Sequence, residues 1–113
     1  YLGTLEKSAP RYAIMAGNEV AGAAGIRLNW LRGPYVQFLG ILPDYQKRRL
    51  GSTFLAWLAH EAKRHGEENV WVLASVFNAD ALRFYEMNGF ARTGEIVDLV
   101  APGTAEVLLR RRL

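Results

Sequence analysis

The chain has 113 residues, half of them apolar, which is enough for one hydrophobic core without metal or disulfide support. It contains no cysteine, so a disulfide framework, a Cys-based metal site and acyl transfer through an enzyme thiol are all excluded. A formal net charge of +3 favours a polyanionic partner, and composition alone leaves nucleic acid, anionic lipid and a phosphorylated cofactor open.

The chain opens on Tyr1-Leu2-Gly3-Thr4 rather than on Met, and is expected to begin inside a longer protein. That start has no charged region followed by an apolar one, and no apolar run approaches the ~20 residues that span a bilayer. Secretion and membrane insertion are disfavoured and a cytoplasmic location is expected. Residues 11–16 and 19–28 read as antiparallel strands joined at Gly17-Asn18, a pair that tolerates the positive φ of a tight turn. Gly22 and Gly25 weaken the second strand and mark a candidate bulge. After Gly33-Pro34, residues 35–42 are nearly all apolar, as expected of a strand covered on both faces, and Pro43 ends them.

From Arg49 to His65 the apolar residues Leu50, Phe54, Leu58 and Ala62 recur every fourth position, which predicts an amphipathic helix stopped by Gly66. Residues 70–76 read as a second buried strand, and Asn78 as the N-cap of a helix over 79–88 that Gly89 ends. Residues 90–100 and 105–112 read as strands turned by Ala101-Pro102-Gly103-Thr104. The basic run Arg110-Arg111-Arg112 is expected to be a solvated strand end that discourages edge pairing. No internal repeat, linker or low-complexity segment is present, so residues 1–113 read as a single domain. The element order gives an α/β domain with a mixed sheet, in which the strand-helix-strand unit over 35–76 is a right-handed parallel crossover.

Its helix would start at the carboxyl end of a buried strand, where ligands of such sheets bind. The segment there is Gln46-Lys47-Arg48-Arg49-Leu50-Gly51-Ser52. A turn into a helix aims unpaired N–H groups at one spot, and the helix dipole adds positive potential there. Gly51 admits an anion close to the backbone and Ser52 offers a hydroxyl donor. Cations at a helix N-terminus oppose the dipole, so this run is locally unfavourable unless an anion compensates it.

Gln46-x-x-Arg49-x-Gly51 resembles the Gln/Arg-x-x-Gly-x-Gly/Ala motif of the GNAT acetyltransferase superfamily. Asn78-Ala79-Asp80-Ala81-Leu82-Arg83-Phe84-Tyr85-Glu86-Met87-Asn88-Gly89-Phe90 resembles that family's second signature, an Asn opening a helix that carries Tyr and ends in Gly-Phe. The resemblance covers roughly residues 11–112. It implies a mixed, mostly antiparallel sheet with a central parallel crossover, truncated at the N-terminus: the family's first strand and first two helices, whose junction walls the acceptor site, have no counterpart here. Arg49 stands where the family usually has its first glycine, and at a positive φ it would carry a steric cost that glycine avoids.

The resemblance further implies direct acetyl transfer from acetyl-coenzyme A, as co-substrate, to a primary amine, small molecule or peptide, without a metal. Residues Gln46 to Ser52 would hold the pyrophosphate, backbone of Leu39, Gly40 and Ile41 the pantetheine arm, and Asn78 the arm or the loop. Tyr85 matches the tyrosine that protonates the departing thiolate; a phenol with pKa about 10 stays protonated at neutral pH, while a thiolate with pKa ~8.5 accepts its proton. No general base is legible. Leu73 and Gln37 stand where relatives carry a glutamate, His60 and His65 read as solvated, and Glu95 and Asp98 are weak candidates. Without a strong base, an α-amino group, pKa about 7.7 to 8.0, is favoured over a lysine at about 10.4. The alternative is a catalytically inactive acyl-coenzyme A-binding module of the same fold. A nucleic-acid-binding domain is disfavoured because Trp57 and Trp71 fall at core-like positions rather than among the basic residues. Homodimer formation is compatible with this reading.

Overall fold

A computed structural model describes residues 9–113; the opening Tyr1 to Thr4, read above for a targeting segment, lies outside them. Six strands and two helices follow in the order β1 (Arg11–Ala16), β2 (Glu19–Arg27), β3 (Tyr35–Ile41), α1 (Leu50–Arg64), β4 (Asn69–Ser75), α2 (Ala79–Met87), β5 (Ala91–Val97) and β6 (Ala105–Arg112). A 3-10 turn over Pro43–Tyr45 separates β3 from α1. The sheet order is β1-β2-β3-β4-β6-β5, antiparallel everywhere except between β3 and β4. This is the mixed α/β architecture expected from the element order.

Residues paired across strands share a face, so the register sorts the sheet into two sides. Val36, Val72 and Leu109 lie in line on one side, continued by Ile14, Ala24, Ile26, Val70, Ala74 and Val107. Both helices cover that side. Phe54, Leu55, Leu58, Ala59 and Ala62 of α1 and Leu82 of α2 complete its core, together with Phe90. Fully burying a side chain such as Leu55 contributes about 2 kcal/mol. Trp57 of α1, expected in the core, is half exposed and packs edge-on against Tyr12.

The opposite face carries Tyr35, Trp71, Leu73, Ser75, Glu106, Leu108 and Arg110, and no described helix covers it. The expectation that β3 is covered on both faces therefore fails: Phe38 and Gly40 are exposed on this side. Periodicity read β3 as apolar throughout but could not count its neighbours.

Two irregularities shape the centre of the sheet. Between β2 and β3 the register shifts at Gly25/Ile26, where Gly25 pairs Phe38 and Ile26 pairs Val36, leaving Gln37 without a partner. Such a bulge bends its strand and returns the following residues to the other face. Leu39 and Ile41 accordingly lie on the helix side. Between β3 and β4 only Tyr35↔Trp71 and Val36↔Val72 are in register, so the carboxyl halves of the two strands stand apart.

The Arg110-Arg111-Arg112 run is not a free edge, because β6 lies between β4 and β5. Arg110 Nε donates to Asn69 Oδ1 at 2.6 Å and its guanidinium lies over the Trp71 ring, while Arg111 donates to the Asn88 carbonyl at 3.2 Å and so ties β6 to the end of α2. β5 is shorter than the 90–100 expected, since the Asp98 N–H bonds Thr104 O and the Asp98 carboxylate accepts from Gly103 N, closing the turn after Val97.

At the amino ends of β3 and β4, the buried Asn69 amide and the Trp71 indole both donate to the Leu31 carbonyl, clamping the 28–34 loop. Gly33 fits beneath this clamp only because it lacks a side chain: a Cβ there would lie 1.7 Å from the Asn69 carbonyl oxygen. Backbone, unlike a flexible side chain, cannot swing aside. Gly33→Ala should therefore cost about 3 kcal/mol, the upper part of the overpacking range, read as a lower melting temperature.

Candidate active site

The two helix starts are built differently. Asn78 Oδ1 accepts from Ala81 N at 3.1 Å and Asp80 lies in the first turn, so α2 opens with a cap and an acid, as the dipole favours. Helix α1 opens on Arg49 with no side-chain cap and no acid in its first turn. Its first N–H groups lack the side-chain partner that α2 has, and Lys47 and Arg49 add positive charge beside them. No described carboxylate forms an ion pair with either cation.

The backbone before α1 is unusual as well. Lys47 and Arg49 are left-handed, with φ of 68° and 59°. An L-residue there costs roughly 1–2 kcal/mol. Left-handed residues on either side of Arg48 are a backbone pattern of the kind from which anion-binding concavities are built. The Gln46 side-chain amide anchors the turn by donating to the Ile41 carbonyl at 3.1 Å, and the Thr53 hydroxyl donates to Arg49 O at 2.8 Å.

This turn forms one end of a cleft of about 460 Å³. Gln46, Lys47, Arg49, Leu50, Gly51 and Ser52 line that end, Leu39 and Ile41 line the β3 side, and Tyr85 lines the far side. Gly51 matters for packing too, since a Cβ would lie 3.0 Å from the Phe84 ring. Other expected residues fall outside the cleft. Arg48 turns its guanidinium over the Tyr45 ring, Gly40 is exposed on the opposite face of β3, and Asn78 is engaged as the α2 cap. Tyr45, Asp80, Ala81 and Phe84 line the cleft without having been singled out in the sequence. Helical spacing from Tyr85 offered a signal, because Ala81 is one turn before it.

Tyr85 is partly buried, in edge contact with Phe84 and Phe90. Burial, and secondarily Tyr35, raise its phenol above the ordinary value of about 10. It therefore carries its proton throughout the neutral range. It lines the cleft together with Leu39 and Ile41, in the half of β3 that has parted from β4.

With this geometry in view, the comparisons with known proteins are decisive on class. The acetyltransferase (GNAT) family matches residues 3–90, and the chain belongs to that family. Its fold is shared with a GNAT-family protein from Desulfovibrio desulfuricans, TM-score 0.85 at 18% identity over 98% of this chain and 72% of that one. It is also shared with the ribosomal-protein-S18-alanine N-acetyltransferase of Escherichia coli, TM-score 0.81 at 19% identity over 94% and 70%. A GNAT family acetyltransferase from Elizabethkingia anophelis, solved with acetyl-CoA bound, gives TM-score 0.79 at 16% identity over 99% and 81%. In sequence the chain is 32% identical over 65 residues to the aminoalkylphosphonate N-acetyltransferase of Salmonella typhimurium, covering 58% of this chain and 41% of that protein. No described helix is long and apolar enough to cross a membrane, and the described residues hold no cluster of His, Asp and Glu suited to a metal ion.

Arg49 supplies a test of the loop itself. Replacing it by Gly removes the left-handed penalty, so Arg49→Gly should leave the melting temperature unchanged or raise stability by up to about 1 kcal/mol, the Gly entropy cost taking back part of the gain. A clear fall in melting temperature would show that the guanidinium stabilises the fold.

Proposed function

We propose that this chain binds acetyl-coenzyme A as co-substrate and carries out N-acetylation of a primary amine. The observation that carries the reading is the junction of a cation-bearing, left-handed turn at an uncapped helix start with a cleft that ends on a protonated tyrosine. Family membership supports acetyl transfer, and the N-acetyltransferase activities named for the Salmonella and Escherichia proteins support nitrogen as the acceptor atom.

The residues present fit the co-substrate. The N–H groups of Leu50, Gly51 and Ser52, with Lys47 and Arg49, would hold the pyrophosphate, and Gln46 keeps the turn in shape. Leu39 and Ile41, on the side of β3 freed by the splay, would flank the pantetheine arm. Gly40 contributes only through its backbone, while Arg48 and Asn78 act indirectly, by stacking and by capping. Tyr85 would hold a proton for the departing thiolate. The thiol so formed, with pKa of about 8.5 if it resembles cysteine, is a stronger acid than the raised phenol, so the phenol assists by hydrogen bonding to sulfur as carbon–sulfur cleavage builds charge there.

Coenzyme A is expected to bind the wild-type chain in a calorimetric titration, with Lys47→Ala/Arg49→Ala weakening binding by on the order of 1.5 to 3 kcal/mol per lost contact. Unchanged affinity of the folded double variant would remove the phosphate assignment. Tyr85→Phe should lower turnover by roughly 10²- to 10⁴-fold with coenzyme A affinity nearly intact. The raised phenol pKa also fixes a sign: as a proton donor, Tyr85 loses its contribution only when pH rises above about 10, so no activity loss from this group is expected between pH 7 and 9. A Tyr85→Phe variant with full turnover would assign the residue to packing. Retained coenzyme A binding without turnover by the wild type on any amine would favour the inactive binding module.

A further inference from the structure

The mechanism so far lacks a group to receive the acceptor's proton. The candidate positions legible in the sequence lie on β3, β4, α1 and the β5 region. The structure removes most of the candidates. The Asp98 carboxylate is engaged by Gly103 N at 2.7 Å within the β5–β6 turn. Glu95 is in register with Val107, which places it toward the helix side of the edge strand. His60 and His65 are exposed on α1 and its end, and Glu61, Glu68, Asp80 and Glu86 are paired with Arg64, Arg32, Arg83 and Arg92.

Glu19 accepts from the Tyr45 hydroxyl, Asp44 lies in the 3-10 turn and Glu67 follows α1, whereas Glu106 lies on the open face at the end of the sheet where β3 and β4 part. It is opposite Ser75 at the carboxyl end of β4, the end at which β3 and β4 have separated. It shares the open face with Tyr35, whose register pair lies at the foot of the gap. It is half-buried and forms no ion pair with a described cation. Arg110, on the same strand and face, is committed to Asn69 and Trp71.

Tyr85 thus lines the cleft on the helix side, while Glu106, one strand beyond β4, and Tyr35, at the foot of the gap, share the open face. We infer that Glu106 is the general base of the transfer, and that the acceptor amine enters over the uncovered face of the sheet, between Glu106 and Tyr35. This rests on the acetyl-transfer reading above. The field around these groups agrees with the geometry: burial and the Glu106 charge both raise the Tyr35 phenol, and Tyr35 in turn contributes to the rise at Tyr85. The titratable and charged groups facing Glu106 are Tyr35 on β3 and Arg110 on β6, with Tyr85 beyond the gap and Asp98 on the adjoining turn; its β5 partner is the apolar Ile96.

The proton balance closes with these residues. The acceptor ammonium gives one proton to the Glu106 carboxylate, directly or through water, and the freed nitrogen lone pair attacks the thioester carbonyl carbon. The carbon–sulfur bond breaks, the thiolate takes the Tyr85 proton, and the second nitrogen proton restores the phenol. One proton leaves Glu106 to solvent for each amide formed. The carboxylate also gives the open face a charge that draws in an ammonium, which bears on the earlier expectation for the acceptor. Lysine-like amines are no longer disfavoured for want of a base.

The test is the pH profile of kcat/KM for wild type, Glu106→Gln and Glu106→Asp on the full chain, using acetyl-coenzyme A and a primary amine of pKa about 10 that the wild type acetylates. At pH 7, Glu106→Gln should be roughly 10²-fold or more slower, with coenzyme A affinity unchanged in calorimetry. The deficit should shrink toward unity as pH nears the amine's own pKa, because the amine then needs no base. Glu106→Asp should retain the wild-type profile at a reduced rate. A deficit of constant size across the pH range would mean a structural role and overturn the inference, as would full activity of Glu106→Gln. Should the Gln variant fail to fold, a Glu106→Asp profile that rises with the amine's ionisation would overturn it equally. A wild type that acetylates no amine would instead overturn the acetyl-transfer reading, and this inference with it.

Discussion

Strands β3 and β4 are neighbours in a parallel pair but hold register only at Tyr35↔Trp71 and Val36↔Val72, and the functional architecture depends on that early parting. A continuous parallel ladder would bond the backbone of both strands and close the sheet. The unpaired Gln37 prevents it by bending β3 after Val36. The same bulge swaps the faces of the residues beyond it, so that Leu39 and Ile41 come to line the cleft on the helix side. One inserted residue therefore opens the gap and also decides which side chains border it.

The helices then occupy positions that the gap makes useful. Helix α1 begins after the carboxyl end of β3, and Leu50, Gly51 and Ser52 of its first turn line the cleft with Lys47 and Arg49. Stability is sacrificed there in three ways: two L-residues in left-handed backbone, cations at the positive end of a dipole, and no cap. Helix α2 has none of these faults, and its Asn78 cap and Asp80 follow the local rules for stability. Local violation confined to one of two helix starts in the same small domain is what a bound polyanion would explain. Packing joins the two ends of the cleft, because Gly51 at the start of α1 rests against Phe84 of α2, next to Tyr85.

The two faces of the sheet divide the remaining work. On the helix side lie the core, the cleft and Tyr85; on the other lie Tyr35, Glu106 and a surface that the described residues leave uncovered. A group held from one side and a nucleophile approaching from the other meet only where strands part.

Most of the secondary structure was legible in the sequence because its causes are local. Fourfold spacing from Leu50 to Ala62 set α1, Asn78 and Gly89 bounded α2, and Gly17-Asn18 placed the first hairpin. The segment from Gln46 to Ser52 and Tyr85 stood out for the same reason: charge, glycine and hydroxyl within a single turn can be read without knowing what lies across from them. Three features could not be read that way. The commitment of Arg110 and Arg111 to Asn69, Trp71 and Asn88 depends on β6 lying inside the sheet rather than at its edge, and strand order is a property of the whole topology. The exposure of Phe38 depends on what covers a face, which periodicity does not encode. Glu106 owes its candidacy to register with Ser75 across β4 and β6 and to the gap beyond β4, contacts made between residues far apart in the chain. Sequence alone determined the elements and the basic, glycine-containing turn before α1, since both arise from neighbours along the backbone; only the tertiary structure decided the gap, its two faces and the carboxylate on the open one, since these arise from strand register and from a bulge whose effect is felt across the sheet.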